Sequence, residues 1–348
     1  MNTVLSLTPG ERADLFRGAA QKLGLASEVA IEKDFWVCWI LRKLFGEIPA
    51  FGPHLVFKGG TSLSKVYRAI NRFSEDVDIT LGRELLGLDS DEHDPEKAPN
   101  PTQKKKRIEA LSSKCSQWVE GDLKTQLTAK TEAELGPGGW SYEMDATDKT
   151  RLTLLFKYPS VLPAPTGNPY LTRAVLVECG AKADVWPVNE APIKPYVAEV
   201  YAAGIKDPPV TVRALAIERS FWGKATILHA EAYRPADKAD MRKNFSRHYA
   251  DTVALADHAG AKNALRDADL RQRVVNFKEA FFRNSWSNYD SAKPGTFKLL
   301  PAPAHAPALE ADYGRMQREM YFGTPMAWSD VILRLRELES QINTPASN

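Results

Sequence analysis

The chain has 348 residues, and at about 150 residues per domain this length favours two domains or one large domain with a helical extension. Hydrophobic residues make up 43% and charged residues 26%, which excludes a disordered, collagenous or coiled-coil protein. The 46 Lys and Arg residues against 44 Asp and Glu give a net charge of +2, so bulk charge does not indicate a nucleic-acid binder, although a local basic face can still attract one.

The cysteines and the apolar segments indicate the compartment. Cys38, Cys115 and Cys179 lie far apart without a C-x-x-C pair, which argues against a disulfide scaffold or a structural zinc site and favours a reducing environment. Residues 1–10 lack the pattern of a signal peptide, and the longest apolar run, Phe35–Leu41, is far shorter than the ~20 residues that span a bilayer. We therefore expect a cytoplasmic protein with no membrane partner.

Helical patterns open the chain. Thr8, Pro9 and Glu11 supply an N-cap, a first-turn proline and a capping-box acid, which predict a helix to about Leu23. Apolar residues at helical spacing predict a second helix over 27–45. A short buried strand at 54–57, a helix over 61–71 and a strand over 76–81 are predicted next.

The remainder of the chain changes from strands to helices. After an acidic, proline-rich loop we predict a long helix over 104–134 and strands at about 140–144, 151–158 and 173–179. The irregular, proline-containing stretch 187–209 suggests a domain boundary, and helices are predicted over 212–231, 239–258, 262–284 and 327–343. The connection 284–308 has a length typical of functional or mobile segments. We expect an α/β (α+β) fold, with a mixed-sheet lobe and flanking helices at 1–209 and a mainly helical C-terminal lobe at 210–348.

The segment from Lys58 to Lys65 has the pattern of a phosphate site. A strand that ends in Gly59 and Gly60 and enters a helix presents backbone N–H groups with no side chain in the way. Thr61 or Ser62 can add a hydroxyl, and Lys65 lies one turn further on. Paired glycines are also common in ordinary turns, and the segment is neither a P-loop nor a dinucleotide-binding fingerprint.

Asp76 and Asp78 follow on the next predicted strand. Because they are two residues apart, both carboxylates project from one face, where a divalent cation would relieve their repulsion. Mg²⁺ prefers such oxygen ligands. The combination with the glycine turn in one strand, helix, strand unit predicts a metal-bound triphosphate site, although Asp-x-Asp alone is common on exposed strands.

These motifs resemble the nucleotidyltransferase AbiEii/AbiGii toxin family of the DNA polymerase β-like superfamily. The resemblance runs from about residue 28 to the C-terminal helix and rests on motifs in a fixed order. They are Glu32–Val37, Lys58–Lys65, Arg72–Ile79, Glu218–His229 and Ser246–Asp251. Ser220, Gly223 and Ala250 depart from the usual residues without touching an expected catalytic side chain. The family implies a bilobed nucleotidyltransferase fold with its active site in the cleft between the lobes.

The resemblance also implies roles for individual residues. Gly59, Gly60 and Ser62 would hold the nucleotide phosphates. Asp76 and Asp78 would bind Mg²⁺ or Mn²⁺ and activate the attacking hydroxyl, Lys224 would contact the triphosphate, and Asp251 would complete the site.

The residues themselves leave simpler alternatives open. Lys224 follows two aromatic residues in an apolar helix, where it could also be a surface lysine with a buried stem. Asp251 lies four residues after Arg247 and could form a helical ion pair with it, and His248 could be a structural histidine. Glu178 is either a third metal-binding carboxylate or a structural glutamate of its strand.

The predicted reaction moves a nucleoside monophosphate from an NTP to a hydroxyl and releases pyrophosphate. By resemblance, the acceptor is the 3′ end of tRNA, and the protein is the toxin of a type IV toxin–antitoxin or phage-defence pair whose antitoxin acts mainly indirectly. Basic clusters at 104–107, at Arg213 with Arg219, and at Arg242, Lys243 and Arg247 are candidates for RNA contacts. The alternatives are a nucleotidyltransferase for a small molecule or a protein hydroxyl, and a regulator that binds NTP without turnover.

Overall fold

The computed structural model describes residues 1–25, 27–163, 172–182, 185–238 and 241–344, without the side chains of Ala261 and Glu319. The chain divides into two compact units. Unit 1 consists of Met1–Val66 and Phe73–Leu215, and unit 2 consists of Tyr67–Arg72 and Ala216–Asn348. The predicted division into 1–209 and 210–348 stays a prediction. None of the described helices is long and apolar enough to cross a bilayer.

In unit 1, the described residues form one mixed sheet of seven strands in the order β3-β4-β5-β2-β1-β7-β6. The strands are β1 (Leu55–Lys58), β2 (Val77–Leu81), β3 (Ser141–Met144), β4 (Thr153–Lys157), β5 (Ala174–Gly180), β6 (Val188–Ile193) and β7 (Val210–Leu215). β1 runs antiparallel to β2 and parallel to β7, and β2 runs parallel to β5. This mixed sheet confirms the predicted fold class.

The helices of unit 1 precede, interrupt and follow these strands. They are α1 (Asn2–Leu5), α2 (Pro9–Leu23), α3 (Glu28–Arg42), α4 (Gly59–Lys65), α5 (Pro101–Trp118), α6 (Lys124–Leu135) and α7 (Tyr196–Val200). The predicted capping box of α2 is present, with Thr8 accepting from the Glu11 backbone. A π-helical turn extends α3 to Glu47, and another joins α5 to α6, so the long predicted helix over 104–134 is confirmed with this irregularity.

Aromatic side chains of α3 pack on the strands at one end of the sheet. Trp36 and Trp39, one helical turn apart, are both buried. Trp36 stacks on Tyr158 with ring centroids 5.6 Å apart, and Trp39 stacks on Phe156 at 5.5 Å. This apolar face explains why the predicted second helix is buried along most of its length.

Unit 2 is helical, as predicted. Its helices are α8 (Ile217–Glu231), α9 (Arg247–Asp257), α10 (Ala259–Ala264), α11 (Ala268–Phe282), α12 (Ala306–Glu319) and α13 (Trp328–Asn343). The helix predicted over 239–258 begins at Arg247, and residues 239 and 240 of that prediction lie outside the described residues. The helix predicted over 262–284 is divided between α10 and α11.

Two sequence predictions of local structure are wrong. The helix predicted over 212–231 begins only at Ile217, because the residues before it form β7. The stretch 187–209 contains β6 and α7, and the domain boundary suggested there stays a prediction. Pro192 is accommodated because β6 lies at the edge of the sheet. The helix predicted over 61–71 ends at Lys65, because Asn71 O accepts from Phe322 N and Arg72 forms a β-bridge with Tyr321 in unit 2.

The long connection after α11 is fixed by polar side chains of α8 and α13. His229 Nδ1 accepts a hydrogen bond from Lys298 N at 3.0 Å, and His229 Nε2 lies 3.1 Å from Asn288 O. Glu339 accepts from Leu299 N at 2.5 Å. The length of this segment therefore reflects a role in the packing of unit 2.

We expect His229→Ala to lower the free energy of unfolding by about 2–4 kcal/mol, because it leaves a cavity and an unpaired Lys298 N–H. Urea denaturation measures this change, and limited proteolysis should show new cleavage within 292–304. His54→Ala, at a partly exposed histidine, is the control and should change stability less. Equal effects of the two substitutions would contradict the anchoring role of His229.

Candidate functional site

Gly59 joins β1 to α4 and lies directly against the acidic strand. Its φ of +78° is in the left-handed region that favours glycine. A Cβ atom at this position would lie 1.8 Å from Asp78 Oδ2, so any side chain would have to displace the carboxylate. The predicted glycine turn therefore contacts the predicted metal-binding aspartate through bare backbone.

Lys58, Asp78 and Glu178 occupy one row across three neighbouring strands. Lys58 is the Cα partner of Asp78 in the β1–β2 pair, and Asp78 is the partner of Glu178 in the β2–β5 pair. Side chains at partnered positions lie on the same face of a sheet. Lys58 Nζ lies 3.8 Å from Asp78 Oδ1. Asp76 directly precedes β2, two residues from Asp78, and lies on the same face if strand alternation continues to it.

The donor set of this row suits a hard cation. Among the described residues, no three His, Cys, Asp or Glu side chains gather closely enough to hold a metal ion on their own. Mg²⁺, however, is usually held by one or two carboxylates together with substrate phosphates. Asp76 and Asp78 fit that mode of binding, because a cation would also offset the repulsion between Asp78 and the neighbouring Glu178. The role of Glu178 as a third ligand stays a prediction.

The hydroxyl groups of the predicted phosphate segment are engaged within unit 1. Thr61 Oγ1 donates to Ser74 Oγ at 3.0 Å, and Ser62 Oγ donates to Gly59 O at 3.0 Å. Both side chains are buried. Thr61 and Ser62 thus fix the backbone around Gly59, and direct phosphate contacts from their hydroxyls stay a prediction. Gly60 is half-buried in the first turn of α4.

Lys65 has a different environment from the one its sequence position suggests. Its Nζ lies 2.7 Å from Asp34 Oδ1 of α3 and 3.5 Å from the centroid of the Tyr196 ring. Burial opposes the charge, yet Asp34 raises the pKa of Lys65 above its ordinary value, so the lysine is charged. This buried ion pair supports a structural role for Lys65, and its predicted nucleotide contact stays a prediction.

Unit 2 brings together Lys224 of α8, Asp251 of α9 and Arg72. Arg72 Nε donates to Asp251 Oδ1 at 2.8 Å, and Arg72 Nη2 donates to Asp251 Oδ2 at 2.8 Å. Lys224 Nζ also donates to Asp251 Oδ2 at 2.8 Å. Burial raises the pKa of Asp251, but the two cations overcome this effect and hold it well below its usual range. The partners of Asp251 are therefore not the helical pair with Arg247 that its spacing suggested.

Burial and neighbouring charges also lower the pKa values of Lys224 and of His248, which lies on α9 three residues before Asp251. Burial lowers the pKa of Lys224 from its ordinary value, against the attraction of Asp251. Burial also lowers the pKa of His248 well below its ordinary value, with Lys224 and Arg247 adding to the effect, so His248 is neutral near pH 7. Sequence reasoning missed Arg72, although it is the first residue of the motif Arg72–Ile79.

The basic clusters differ in exposure. Lys105 and Lys106 are exposed, whereas Arg107 donates to Asp94 O at 2.7 Å in the acidic loop. Arg213 donates to Pro53 O, and Arg219 is buried against the Phe277 ring. Arg242 and Lys243 are exposed and Arg247 is half-buried. The buried position of Arg219 does not support an RNA contact.

The family of the chain is shown by a family model. The family model described as nucleotidyl transferase AbiEii toxin, type IV TA system, matches residues 42–334. No curated protein matches the sequence. Among solved structures, the chain is similar to MenT4, a nucleotidyltransferase toxin from Mycobacterium tuberculosis H37Rv, with a TM-score of 0.51 and 17% identity over 98% of this chain and 91% of that chain. At this identity, the structural similarity shows a shared fold.

We expect Gly59→Ala to destabilise the protein more than a matched substitution at Gly87. The two glycines have φ values of +78° and +65°, but a Cβ at Gly87 meets no atom within 4 Å. Both variants lose about 1–2 kcal/mol because an L residue is disfavoured at a positive φ. Displacement of Asp78 should cost Gly59→Ala about 1–3 kcal/mol more, measured by urea denaturation. Equal losses would mean that Asp78 is free to move away from the turn.

Proposed function

The chain belongs to the AbiEii nucleotidyltransferase toxin family of type IV toxin–antitoxin systems, and from this membership we propose a Mg²⁺-dependent reaction on the 3′ end of tRNA. A nucleoside monophosphate would pass from an NTP to the terminal hydroxyl. The observation that carries the proposal is the contact of Asp78 with the bare backbone of Gly59. A metal-binding carboxylate and a turn open to phosphate are adjacent there.

The reaction is a substitution at the α-phosphorus of the NTP. The acceptor oxygen forms a bond to this phosphorus, the bond between the α-phosphorus and its bridging oxygen breaks, and pyrophosphate leaves. The hydroxyl proton passes to a carboxylate of the Asp76–Asp78 pair and then to solvent. When bound, Mg²⁺ would offset the negative charge of the triphosphate oxygens.

The residues of unit 1 have three different proposed roles. Asp76 and Asp78 would hold the cation, with Glu178 on the neighbouring strand as the proposed further ligand. Gly59 and Gly60 allow the triphosphate to approach the backbone because neither has a side chain. Lys58, 3.8 Å from Asp78, balances the carboxylate charge in this structure.

Lys224 is the proposed triphosphate contact in unit 2. Its ammonium is held by Asp251, which Arg72 in turn holds through two hydrogen bonds. A lysine whose position is fixed by a rigid partner loses less conformational freedom when it binds a phosphate. Because Asp251 already accepts from both cations, we propose that it orients Lys224 and does not bind metal.

The tRNA acceptor rests on the family resemblance and on exposed basic side chains. Lys105, Lys106 and Arg242 are exposed, as phosphate contacts require. The three cysteines are free and buried, which is compatible with the proposed cytoplasmic location, and the family implies an antitoxin, for which we propose a mainly indirect action. A small-molecule or protein hydroxyl is the alternative acceptor.

Incubation of the protein with each labelled NTP, Mg²⁺ and total RNA should transfer label to tRNA, and sequencing of RNA 3′ ends should show the added nucleotides. We expect Asp78→Asn to reduce transfer at least about 100-fold, because it removes a carboxylate from the proposed cation site. Asp91→Asn, at an exposed aspartate paired with Lys97, is the control and should retain full activity.

This assay tests the proposed acceptor and the proposed reaction independently. Label on the protein or on a small molecule, with RNA unlabelled, would replace the tRNA acceptor by the alternative. NTP binding without release of pyrophosphate under any of the four NTPs would contradict the transferase reaction itself.

The pH dependence of kcat/KM tests the role of Lys224. Because the pKa of Lys224 is lowered, kcat/KM should fall as pH rises through a value below the ordinary 10.5, where the neutral amine no longer attracts phosphate. Lys224→Arg should remove this alkaline decline, since arginine stays charged up to about pH 12, while lowering the overall rate. Lys157→Arg, at an exposed lysine, should leave the profile unchanged. A persistent decline in Lys224→Arg would exclude Lys224 as its source.

A further inference from the structure

Helix α3 buries three consecutive charged residues, Glu32, Lys33 and Asp34, whose exposed fractions are 0%, 0% and 4%. Successive residues of an α-helix project about 100° apart, so these three side chains face different neighbours. Glu32 accepts from Ser160 Oγ and from Val161 N, each at 2.7 Å. The other two contact segments that lead into the candidate site.

Lys33 holds the segment immediately before the acidic strand. Its Nζ lies 2.6 Å from Glu75 Oε2, and Glu75 directly precedes Asp76. The preceding residue, Ser74, accepts the hydrogen bond from Thr61 Oγ1. The backbone that carries Asp76 is therefore held on one side by α3 and on the other by α4.

Asp34, the next residue of α3, holds the helix that begins at Gly59. It pairs with Lys65 at the end of α4, and its Oδ2 accepts from Tyr196 N at 2.6 Å. Adjacent residues of one helix thus fix both halves of the candidate site, the glycine turn through Asp34 and the acidic strand through Lys33. The buried aromatic face of α3 anchors this helix on the sheet.

We infer that Lys33 is a positioning residue of the nucleotidyltransferase site, which sets the place of Asp76 through Glu75. This inference rests on the proposed function, because it assigns Asp76 to the cation. A buried ion pair often gives little net stability compared with apolar residues of similar volume, so stability alone does not explain a charge at this position. Fixing a metal-binding carboxylate relative to a phosphate turn does explain it.

The chain offers a matched control in Lys43, which lies in the continuation of the same helix. Its side chain is 2% exposed, and its Nζ lies 2.6 Å from Glu47 and also pairs with Glu134. These partners lie outside the segments that carry Gly59 and Asp76. Lys33→Met and Lys43→Met therefore both remove a buried, paired lysine, but only the first should affect the site.

The experiment compares the full-length wild type with Lys33→Met, Glu75→Gln and Lys43→Met. Mn²⁺ binding in the presence of an NTP analogue with a non-cleavable α,β-methylene bridge is titrated by electron paramagnetic resonance, thermal unfolding is recorded, and kcat and KM for NTP are measured. We expect Lys33→Met and Glu75→Gln to weaken Mn²⁺ binding at least about tenfold and to lower kcat more than they raise KM. Lys43→Met should lower the melting temperature while leaving Mn²⁺ affinity within about twofold of wild type.

The outcomes distinguish failure of the proposed function from failure of the positioning role of Lys33. Wild type that neither binds Mn²⁺ nor transfers nucleotide would overturn the proposed function. Wild type that does both, with Glu75→Gln also binding Mn²⁺ at wild-type affinity, would overturn the positioning role of Lys33. If Lys33→Met fails to fold, Glu75→Gln decides alone, because Glu75 is partly exposed and glutamine keeps its volume and an oxygen acceptor.

Discussion

The burial of Glu32, Lys33 and Asp34 on α3 is the constraint around which much of unit 1 is arranged. Burying an unpaired charge in an apolar interior costs more free energy than the net stability of a typical domain, so each of the three must have a partner within reach. The partners come from segments far apart in sequence, and they include both segments that frame the candidate site. The aromatic residues of α3 fix the helix on the sheet, and its charges then fix the loops.

Local patterns in the sequence predicted most of unit 1. The capping box at Thr8, the apolar spacing of α3 and the alternation of β2 are local signals, and each predicted element is present. The family resemblance found in the motifs is confirmed. By contrast, β6 pairs with β7 and β7 also pairs with β1, and the prolines of 187–209 obscured these interactions. α12 was missed although its buried Leu309, Tyr313 and Met316 have helical spacing.

For the candidate site, sequence reasoning identified residue types better than it identified their partners. The glycine turn and Asp78 were predicted to belong to one site, and the structure adds the contact that makes Gly59 necessary. The sequence suggested that Lys65, one turn after a glycine pair, is available to phosphate, and only the fold shows Asp34 beside it. Spacing along the chain cannot report such a partner, which lies 31 positions away in an earlier helix.

Asp251 in unit 2 is another residue whose partners could not be predicted from sequence spacing, and those partners determine its chemistry. A carboxylate that accepts two hydrogen bonds from Arg72 and one from Lys224 is already neutralised by two cations. A metal ion at Asp251 would have to compete with both, and the depressed pKa of this carboxyl reflects how strongly they hold its charge. The lysine is the more exposed member of its pair with Asp251. This arrangement is compatible with the proposed contact between Lys224 and a phosphate, and it does not favour a metal ion at Asp251.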